Sequence, residues 1–206
     1  MKTIAAVDMK RPAIAVFGSG MSILKMAKDE MVSIRERCFT IYMNYAMCRF
    51  GPEEMDMLVW NDWNVSYWLA NENLKSGIKL WSVEAAFPFG LPMVIKDKVD
   101  CWIQSSRGNF TMTNMLHDLR KFHPDKNILL FGVDFKVEPG ENVKWYDAFI
   151  DVDKRLRKTE YPHERCFKNQ VRELEQVDAG GKIWNCNLDS ALEVFPREDW
   201  MEVLGP

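Results

Sequence analysis

The sequence predicts an α/β fold: a single Rossmann-like, mostly parallel sheet flanked by helices, with a small lid segment. Short apolar runs alternate with longer mixed segments, as βα units do when they build a parallel sheet. The first run stops at the glycine-rich turn Gly18-Ser19-Gly20 and a helical pattern follows it, as at the first βα turn of such folds. With 206 residues, 47% of them hydrophobic, the chain can fill one sizeable core.

Each predicted element follows from a local pattern. Runs of apolar and β-branched residues predict strands at 14–17, 39–44, 57–61, 78–83, 128–132 and 182–185. Apolar residues at roughly helical spacing predict helices at 22–37, 112–122 and 164–177. The apolar side of the first helix comprises Ile23, Met26, Ala27, Met31 and Ile34. Gly180 and Gly181 end the last helix before the final strand.

A break in this pattern separates a lid from the rest of the chain. Pro139-Gly140 begins the break, and the residues after it are charged, carry Tyr and Trp, and are poorly periodic. We therefore assign residues 138–162 to a lid segment. Residues 1–137 and 163–206 are assigned to one α/β domain, which we expect to bind a nucleotide.

The composition argues against several classes of protein. A net charge of −3 and a pI near 5.7 give no global positive field that would attract nucleic acid or an anionic membrane. The five cysteines have no C-x-x-C spacing, which argues against a disulfide framework and a zinc site and favours a reducing compartment. No long apolar stretch follows the charged N-terminus, so we predict no signal peptide or transmembrane segment and expect a cytoplasmic protein.

The glycine-rich turn is the first candidate ligand site. A strand, a Gly-x-Gly turn and a helix N-terminus direct backbone N–H groups at an anion, commonly a nucleotide phosphate. Gly18, Ser19, Gly20 and Ser22 are therefore candidate binding residues. The turn lacks the third glycine of the dinucleotide fingerprint and the Gly-Lys-Ser/Thr end of a P-loop, so a tight turn without a ligand is the alternative.

Polar residues follow three of the predicted strands, namely Asn44, Asn61 with Asp62, and Asp134. Ligands bind at the carboxyl ends of strands in α/β sheets, and an Asn amide can donate to and accept from a phosphate, sugar or base. As turn formers or helix caps the same residues need no ligand. Asp134 also suits a magnesium ion, although Asp62, the second carboxylate, lies on another element.

The three histidines differ in context. His117 lies within a predicted helix and His123 at its end, so we expect both to be structural. His163 follows the irregular segment and directly precedes a helix, from where an imidazole can face a cleft. A general base must titrate near neutrality, as histidine does. His163 is therefore the catalytic candidate, with an ordinary residue at a helix N-terminus as the alternative.

These motifs resemble those of the bacterial sialyltransferases that act on lipooligosaccharide with a CMP-sugar donor. More broadly, they resemble the sialyltransferase-like and 6-hydroxymethylpterin-diphosphokinase-like superfamily. A bacteriophage protein of this superfamily is one option. The similarity covers most of the chain in the same order. Residues 13–22 resemble the family's opening strand and G-N-G-P-S loop, 130–135 its L-S-G-I-D-F motif, and 161–163 its histidine before a helix.

Shorter pieces add to the resemblance, among them residues 183–190, which are similar to the family's terminal strand and C-P-N-S turn. Asn44 and Asn61 are similar to two asparagines at strand ends of the family, and Thr111 to the threonine of its I-T-S-G motif. Tyr146, in Trp145-Tyr146-Asp147-Ala148-Phe149, is similar to the tyrosine of S-Y-A-F-D. Lys136 stands where the family has a second tyrosine, and a cation can perform the same electrostatic task.

The resemblance implies a GT-A-like sialyltransferase architecture and an inverting, metal-independent transfer of a sugar from a nucleotide-sugar donor to an acceptor hydroxyl. His163 would be the general base, and Tyr146 with Lys136 would stabilise charge on the leaving phosphate. The donor would be held by Gly18, Ser19, Gly20, Ser22, Asn44, Asn61, Thr111 and Asp134. No cofactor is implied, because the nucleotide-sugar, with a CMP-sugar favoured, is a co-substrate.

Partners and two other functions stay open at this point. The family's usual acceptor is a glycan, a hydroxylated DNA base is a further option, and its common tetramers make a homo-oligomer one option. A magnesium-dependent diphosphokinase of the pterin type would use Asp62 and Asp134 as metal ligands. A non-catalytic nucleotide- or glycan-binding protein would keep the pocket without the chemistry.

Overall fold

The computed structural model describes residues 2–46, 55–62, 65–66, 69, 78–82, 97–104, 110–136 and 163–205. Within these ranges lie seven strands: β1 Ala13–Phe17, β2 Cys38–Met43, β3 Met57–Trp60, β4 Lys79–Ser82, β5 Cys101–Trp102, β6 Asn127–Phe131 and β7 Ile183–Asn185. The α-helices of the same ranges are α1 Lys28–Arg37, α2 Thr111–Phe122, α3 His163–Leu174 and α4 Trp200–Leu204. Three 3₁₀ helices cover Ile4–Ala6, Met21–Lys25 and Asn44–Ala46.

The strands form one sheet in the order β5-β4-β3-β2-β1-β6-β7, and every neighbouring pair is parallel. This confirms the predicted α/β class with a parallel sheet. The order of the strands reverses at β1. Strands β2 to β5 extend the sheet on one side of β1, and β6 and β7 extend it on the other side. In such sheets the ends of the two strands at the reversal enclose a crevice.

Both faces of the sheet are covered, which explains why its strands are continuous apolar runs. All five residues of β1 are buried, as expected for a parallel strand between two layers of helix. Ile14 and Val16 belong to the core that includes Met115 of α2, whereas Phe17 belongs to the opposite core with Ile34 of α1. The helices before and after β6 thus pack on one face, and the helix after β1 packs on the other.

One element prediction was wrong, and one strand and one α-helix of the described residues were not predicted. The single helix predicted for 22–37 is a 3₁₀ turn followed by α1, with Met26 and Ala27 extended between them at ψ 130° and 155°. The apolar spacing did not reveal this break, because Ile23 and Met31 on either side of it are buried in the same core. The strand that was not predicted is β5, whose two residues are too short to show an alternation, and the helix is α4 with five residues.

The segments 1–137 and 163–206 contribute to the same sheet, since β7 pairs with β6. The predicted lid, residues 138–162, lies outside the described residues. Among the helices that the structure describes, none has the length and apolar character needed to cross a bilayer.

Candidate functional site

The candidate site lies where the chain leaves β1 and β6, at the carboxyl edge of the sheet. The two strands are neighbours, with Phe17 opposite Phe131 at their last paired position. The loops that follow are in direct contact: Gly18 N–H donates to Phe131 O at 2.7 Å, and Gly20 N–H donates to Gly132 O at 2.8 Å. The predicted ligand loop is therefore held against the end of β6.

The close approach of the two loops explains the glycines. A Cβ on Gly18 would lie 2.5 Å from Gly132 O, and a Cβ on Gly20 would lie 2.5 to 2.7 Å from the carboxyl group of Asp134. Gly132 itself has φ of +63°, which favours glycine. The Gly-x-Gly pattern thus serves contact between two segments of the chain.

Asp134 accepts three hydrogen bonds at this point. Its Oδ2 accepts from Ser22 N–H at 2.8 Å, and its Oδ1 accepts from the Ser22 hydroxyl and from Asn187 Nδ2, the latter at 2.8 Å. The residue is buried, with 8% of its surface exposed. Ser22, Gly20 and Asp134, three of the predicted binding residues, are therefore brought together, with Ser22 hydrogen-bonded to Asp134 and Gly20 beside its carboxyl group.

The turn after β7 completes this cluster, and the sequence did not single out its members. Ser190 Oγ donates to Val133 O at 2.6 Å and to Asp134 O at 3.1 Å, and Ala191 N–H donates to Asp134 O at 2.8 Å. Asn187 has no periodic or spacing signal of its own. The resemblance of residues 183–190 to a family turn was the one hint to this region.

A cleft of about 450 Å³, here called the β1–β6 cleft, opens beside the cluster. It is lined by Met21, Ser22, Leu24, Lys25, Met26, Glu30, Phe131, Gly132, Asp134, Lys136, Cys186, Asn187 and Asp189. Its volume falls in the range of small-molecule and cofactor sites. Two ammonium groups and three carboxylates line it beside apolar side chains, so it suits a polar ligand with an apolar surface.

A second group of polar residues lies further along the same edge. The Thr111 hydroxyl, at the start of α2, hydrogen-bonds Asn61 Oδ1, which follows β3. Asn44 follows the neighbouring strand β2 with φ of +53°, and its buried Oδ1 has no hydrogen-bond partner among the described atoms. We call Asn44, Asn61 and Thr111 the β2–β3 edge group.

The predicted catalytic residues are described only in part. Lys136 lines the β1–β6 cleft. Tyr146 lies outside the described residues, and His163 is the first residue of α3, with its side chain outside the described part. His123 ends α2 and bonds Ile4 O at 3.2 Å, in agreement with the structural role expected for it.

Asp62 and Asp134, the metal ligands of the diphosphokinase interpretation, follow different strands. Within the described ranges no group of three His, Cys, Asp or Glu side chains is placed to hold a metal. Asp62 follows β3 and Asp134 follows β6, and β2 and β1 lie between them. Three strand spacings of roughly 4.8 Å put these strand ends about 14 Å apart. The pair therefore does not form the shared magnesium site that the diphosphokinase interpretation needs.

The environment of the Cys186 thiol, which lines the cleft, disfavours the reactive thiolate form. Burial raises the pKa of Cys186 far above its usual range, and the nearby Asp199 adds to the shift. The thiolate, not the thiol, reacts with electrophiles. Cys186 is therefore a neutral lining residue at physiological pH.

Comparisons with protein-family models, with curated proteins and with solved structures return no match.

Proposed function

We propose that the protein is a glycosyltransferase that moves a sugar from a nucleotide-sugar, with a CMP-sugar favoured, to an acceptor hydroxyl. The observation that carries the proposal is the hydrogen bond between Asn61 and Thr111. Two residues that the family resemblance named from separate motifs, 50 positions apart, meet at the carboxyl edge of a parallel sheet. That edge is where α/β sheets bind nucleotides.

The two halves of the edge suit the two halves of such a donor. The β2–β3 edge group offers amide and hydroxyl groups, which can hydrogen-bond a base or ribose. The β1–β6 cleft contains the ammonium groups of Lys25 and Lys136, which attract a phosphate, beside the carboxylates of Glu30, Asp134 and Asp189. β1 and β2 are adjacent strands, so one extended nucleotide could contact both.

The proposed reaction is a single displacement with inversion. His163 takes the proton of the acceptor hydroxyl, whose oxygen forms the new bond to the anomeric carbon. The bond between that carbon and the donor phosphate oxygen breaks, and its electron pair leaves with the phosphate. Lys136 and Tyr146 stabilise the charge that develops there, so this scheme assigns no step to a metal or cofactor.

The proposal also names an acceptor and a cellular compartment. A glycan hydroxyl is the acceptor that the resemblance favours, and a hydroxylated DNA base is the other option that the binding assay can include. Free Cys38, Cys101 and Cys186 accord with action in a reducing, cytoplasmic compartment.

The first test is ligand binding by thermal shift. CMP, CMP-sugars, UDP- and GDP-sugars and ATP are compared with and without Mg²⁺, and a ligand at 100 times its Kd stabilises by about 2.7 kcal/mol. We expect a cytidine nucleotide to raise the Tm by several degrees without Mg²⁺. A response confined to ATP with Mg²⁺ contradicts the proposal and supports diphosphoryl transfer.

Two threonines of α2 provide a matched pair for the site. Thr111→Val removes the hydroxyl that bonds Asn61, and we expect it to weaken nucleotide binding about 5- to 10-fold. Thr113 is also buried, but its hydroxyl has no hydrogen-bond partner in the described structure. Thr113→Val should therefore leave binding unchanged. Equal Kd values for both variants would exclude the edge group from the binding site.

Substitutions at two histidines distinguish an effect on turnover from an effect on stability. His163→Ala should lower turnover about 10²- to 10⁴-fold, the contribution expected of a general base, with little change in ligand Kd. His123→Ala should lower the Tm, because it removes the contact to Ile4 O, and should keep turnover. Turnover of His163→Ala within a fewfold of the parent would refute the general-base assignment.

A further inference from the structure

We propose that Asp134 is a positioning residue that serves as the internal anion of the glycine loop. Its carboxylate occupies the place beside Gly20 and Ser22 that the sequence pattern suggests for a ligand phosphate. Asp134 would then shape the loop instead of contacting the donor. The contact between Asp134 and the loop is independent of any activity, while its consequence for ligand binding rests on the proposed glycosyltransferase function.

The hydrogen bonds of the carboxylate support this assignment. The backbone N–H of Ser22, the Ser22 hydroxyl and the side-chain amide of Asn187 all donate to it. The N–H groups of Gly18 and Gly20 donate to backbone carbonyls of Phe131 and Gly132. Thus three of the loop's N–H groups are satisfied within the chain and are not available to an external phosphate.

The steric environment of Gly20 gives an independent reason. Its φ of −69° is open to any residue, so backbone conformation does not require glycine there. An added Cβ would instead meet the Asp134 carboxyl carbon at 2.5 Å and its two oxygens at 2.6 and 2.7 Å. Gly20 is therefore glycine because of Asp134.

The backbone on both sides of Asp134 is fixed as well. Asp134 O accepts from Ala191 N–H and from Ser190 Oγ, and Ser190 Oγ also donates to Val133 O. Phe135 has φ of +53°, a left-handed conformation that is costly for a bulky residue and persists only where its surroundings enforce it. The turn after β6 is thus constrained to direct one carboxylate at the loop.

This arrangement has a consequence for the donor. A phosphate placed at Gly20 would face a carboxylate of the same charge, and like charges at such distances repel each other. Under the proposed function, the phosphate takes its contacts from Lys136, which lines the same cleft. Asp134 then affects ligand affinity only through Ser22.

The test is a double-mutant cycle on thermal stability, which needs no ligand. Gly20→Ala should lower the Tm by about 2–12 °C, because overpacking costs about 1–3 kcal/mol and each kcal/mol shifts the Tm of a chain of this size by about 2–4 °C. In the Asp134→Ala background the same glycine substitution should cost less than half as much, since the clashing carboxylate is gone.

Gly18 provides the matched control. Its Cβ would meet the backbone oxygen of Gly132 at 2.5 Å, a clash that no side-chain deletion at position 134 relieves. Gly18→Ala should therefore lower the Tm equally with and without Asp134→Ala. If Gly20→Ala costs the same Tm in both backgrounds, Asp134 does not determine the shape of the loop and the inference is wrong.

A milder variant keeps the test usable where Asp134→Ala does not fold. Asp134→Asn retains the size of the side chain, so Gly20→Ala should keep its full cost there while the charge is lost. For binding, Asp134→Asn should change the Kd for CMP by less than about 2-fold in the Ser22→Ala background and by more in the parent, because both residues act through one loop conformation. Multiplying effects would show that Asp134 contacts the ligand directly, against the inference. Absence of CMP binding by the parent would overturn the cytidine assignment alone, and the stability cycle would still decide the role of Asp134.

Discussion

Asp56 joins the starts of neighbouring strands through one carboxylate oxygen. Its Oδ2 accepts from Arg11 Nη1 at 2.6 Å, from Thr40 N–H at 2.8 Å and from Thr40 Oγ1 at 3.0 Å. Arg11 also donates to Cys38 O at 3.1 Å. Because Thr40 is completely buried, water cannot replace the carboxylate. This residue therefore matters for stability although it lies at the edge opposite to the candidate site.

Asp56→Ala should destabilise the protein by about 1–3 kcal/mol, because it leaves the buried Thr40 N–H and hydroxyl unpaired. Thermal unfolding followed by circular dichroism measures the change. Asp8→Ala is the control, since Asp8 pairs with Lys10 at 3.6 Å in an exposed position and should leave the Tm unchanged. Similar losses for both variants would contradict the role given to Asp56.

Buried thiols give a pH dependence of known sign. Burial raises the pKa of Cys38 and of Cys101 to about 12 from 9.0. The unfolded chain loses these protons first, so the stability that the neutral thiols contribute is fully present below pH 9 and is lost as the pH rises toward 12.

The free energy of unfolding should therefore fall between pH 9 and 12, and fall less in the double variant Cys38→Ala/Cys101→Ala. Denaturant titrations at several pH values measure it. At pH 8 the same two thiols should resist a disulfide exchange reagent until the chain unfolds. Rapid reaction in native buffer would show that they are not buried.

At the scale of elements, the N-terminus of α1 can be stabilised by a substitution at its N-cap. Its N-cap is Ala27, which has no side-chain oxygen to accept a hydrogen bond from the first turn. Ala27→Ser should raise stability by about 0.5–2 kcal/mol, measured as an increase in Tm.

The N-terminus of α4 provides the opposite case, because the side chain of its N-cap residue accepts a hydrogen bond. Asp199 Oδ1 accepts from Met201 N–H at 2.8 Å, so Asp199→Ala should lower the Tm by a similar amount. A lower Tm for Ala27→Ser would mean that the extended conformation of Met26 and Ala27 depends on the present residue.

The strands were predictable because a parallel sheet buried on both faces needs continuous apolar runs, such as residues 128–132. The class of sheet and its carboxyl-edge polar residues followed from the same pattern. That the glycine loop binds a ligand phosphate stays a prediction, but no local pattern shows that Asp134, 114 positions after Gly20, lies against the loop. Asn187 could not be found either, since its role exists only once β7 lies beside β6.

At the scale of the whole molecule, the C-terminal segment is part of the main fold. Ile183, Leu192 and Phe195 belong to the same core as Ile14 of the central strand. Arg37 also donates to the carbonyl oxygens of Leu204 and Gly205 at the end of the chain. The segment therefore contributes both to the sheet and to the core beneath it.

Removing residues 183–206 should abolish cooperative unfolding, because β6 would lose one of its two neighbours and the core would lose three large side chains. A chain that ends at residue 198 keeps β7 and should still unfold cooperatively at a lower Tm. Differential scanning calorimetry separates the two results. A sharp transition in the shorter chain would show that β7 is dispensable.

The strand order also has a consequence for synthesis on the ribosome. Ala13 of β1 pairs with Cys38 on one side and with Asn127 on the other. After Ala13, 114 further residues must therefore be synthesised before the second neighbour of the central strand begins to form. At about 5–20 residues per second, that wait lasts roughly 6–23 seconds. During this interval the nascent chain carries an open, apolar strand edge, the kind of surface that chaperones bind and that pairs wrongly with other chains.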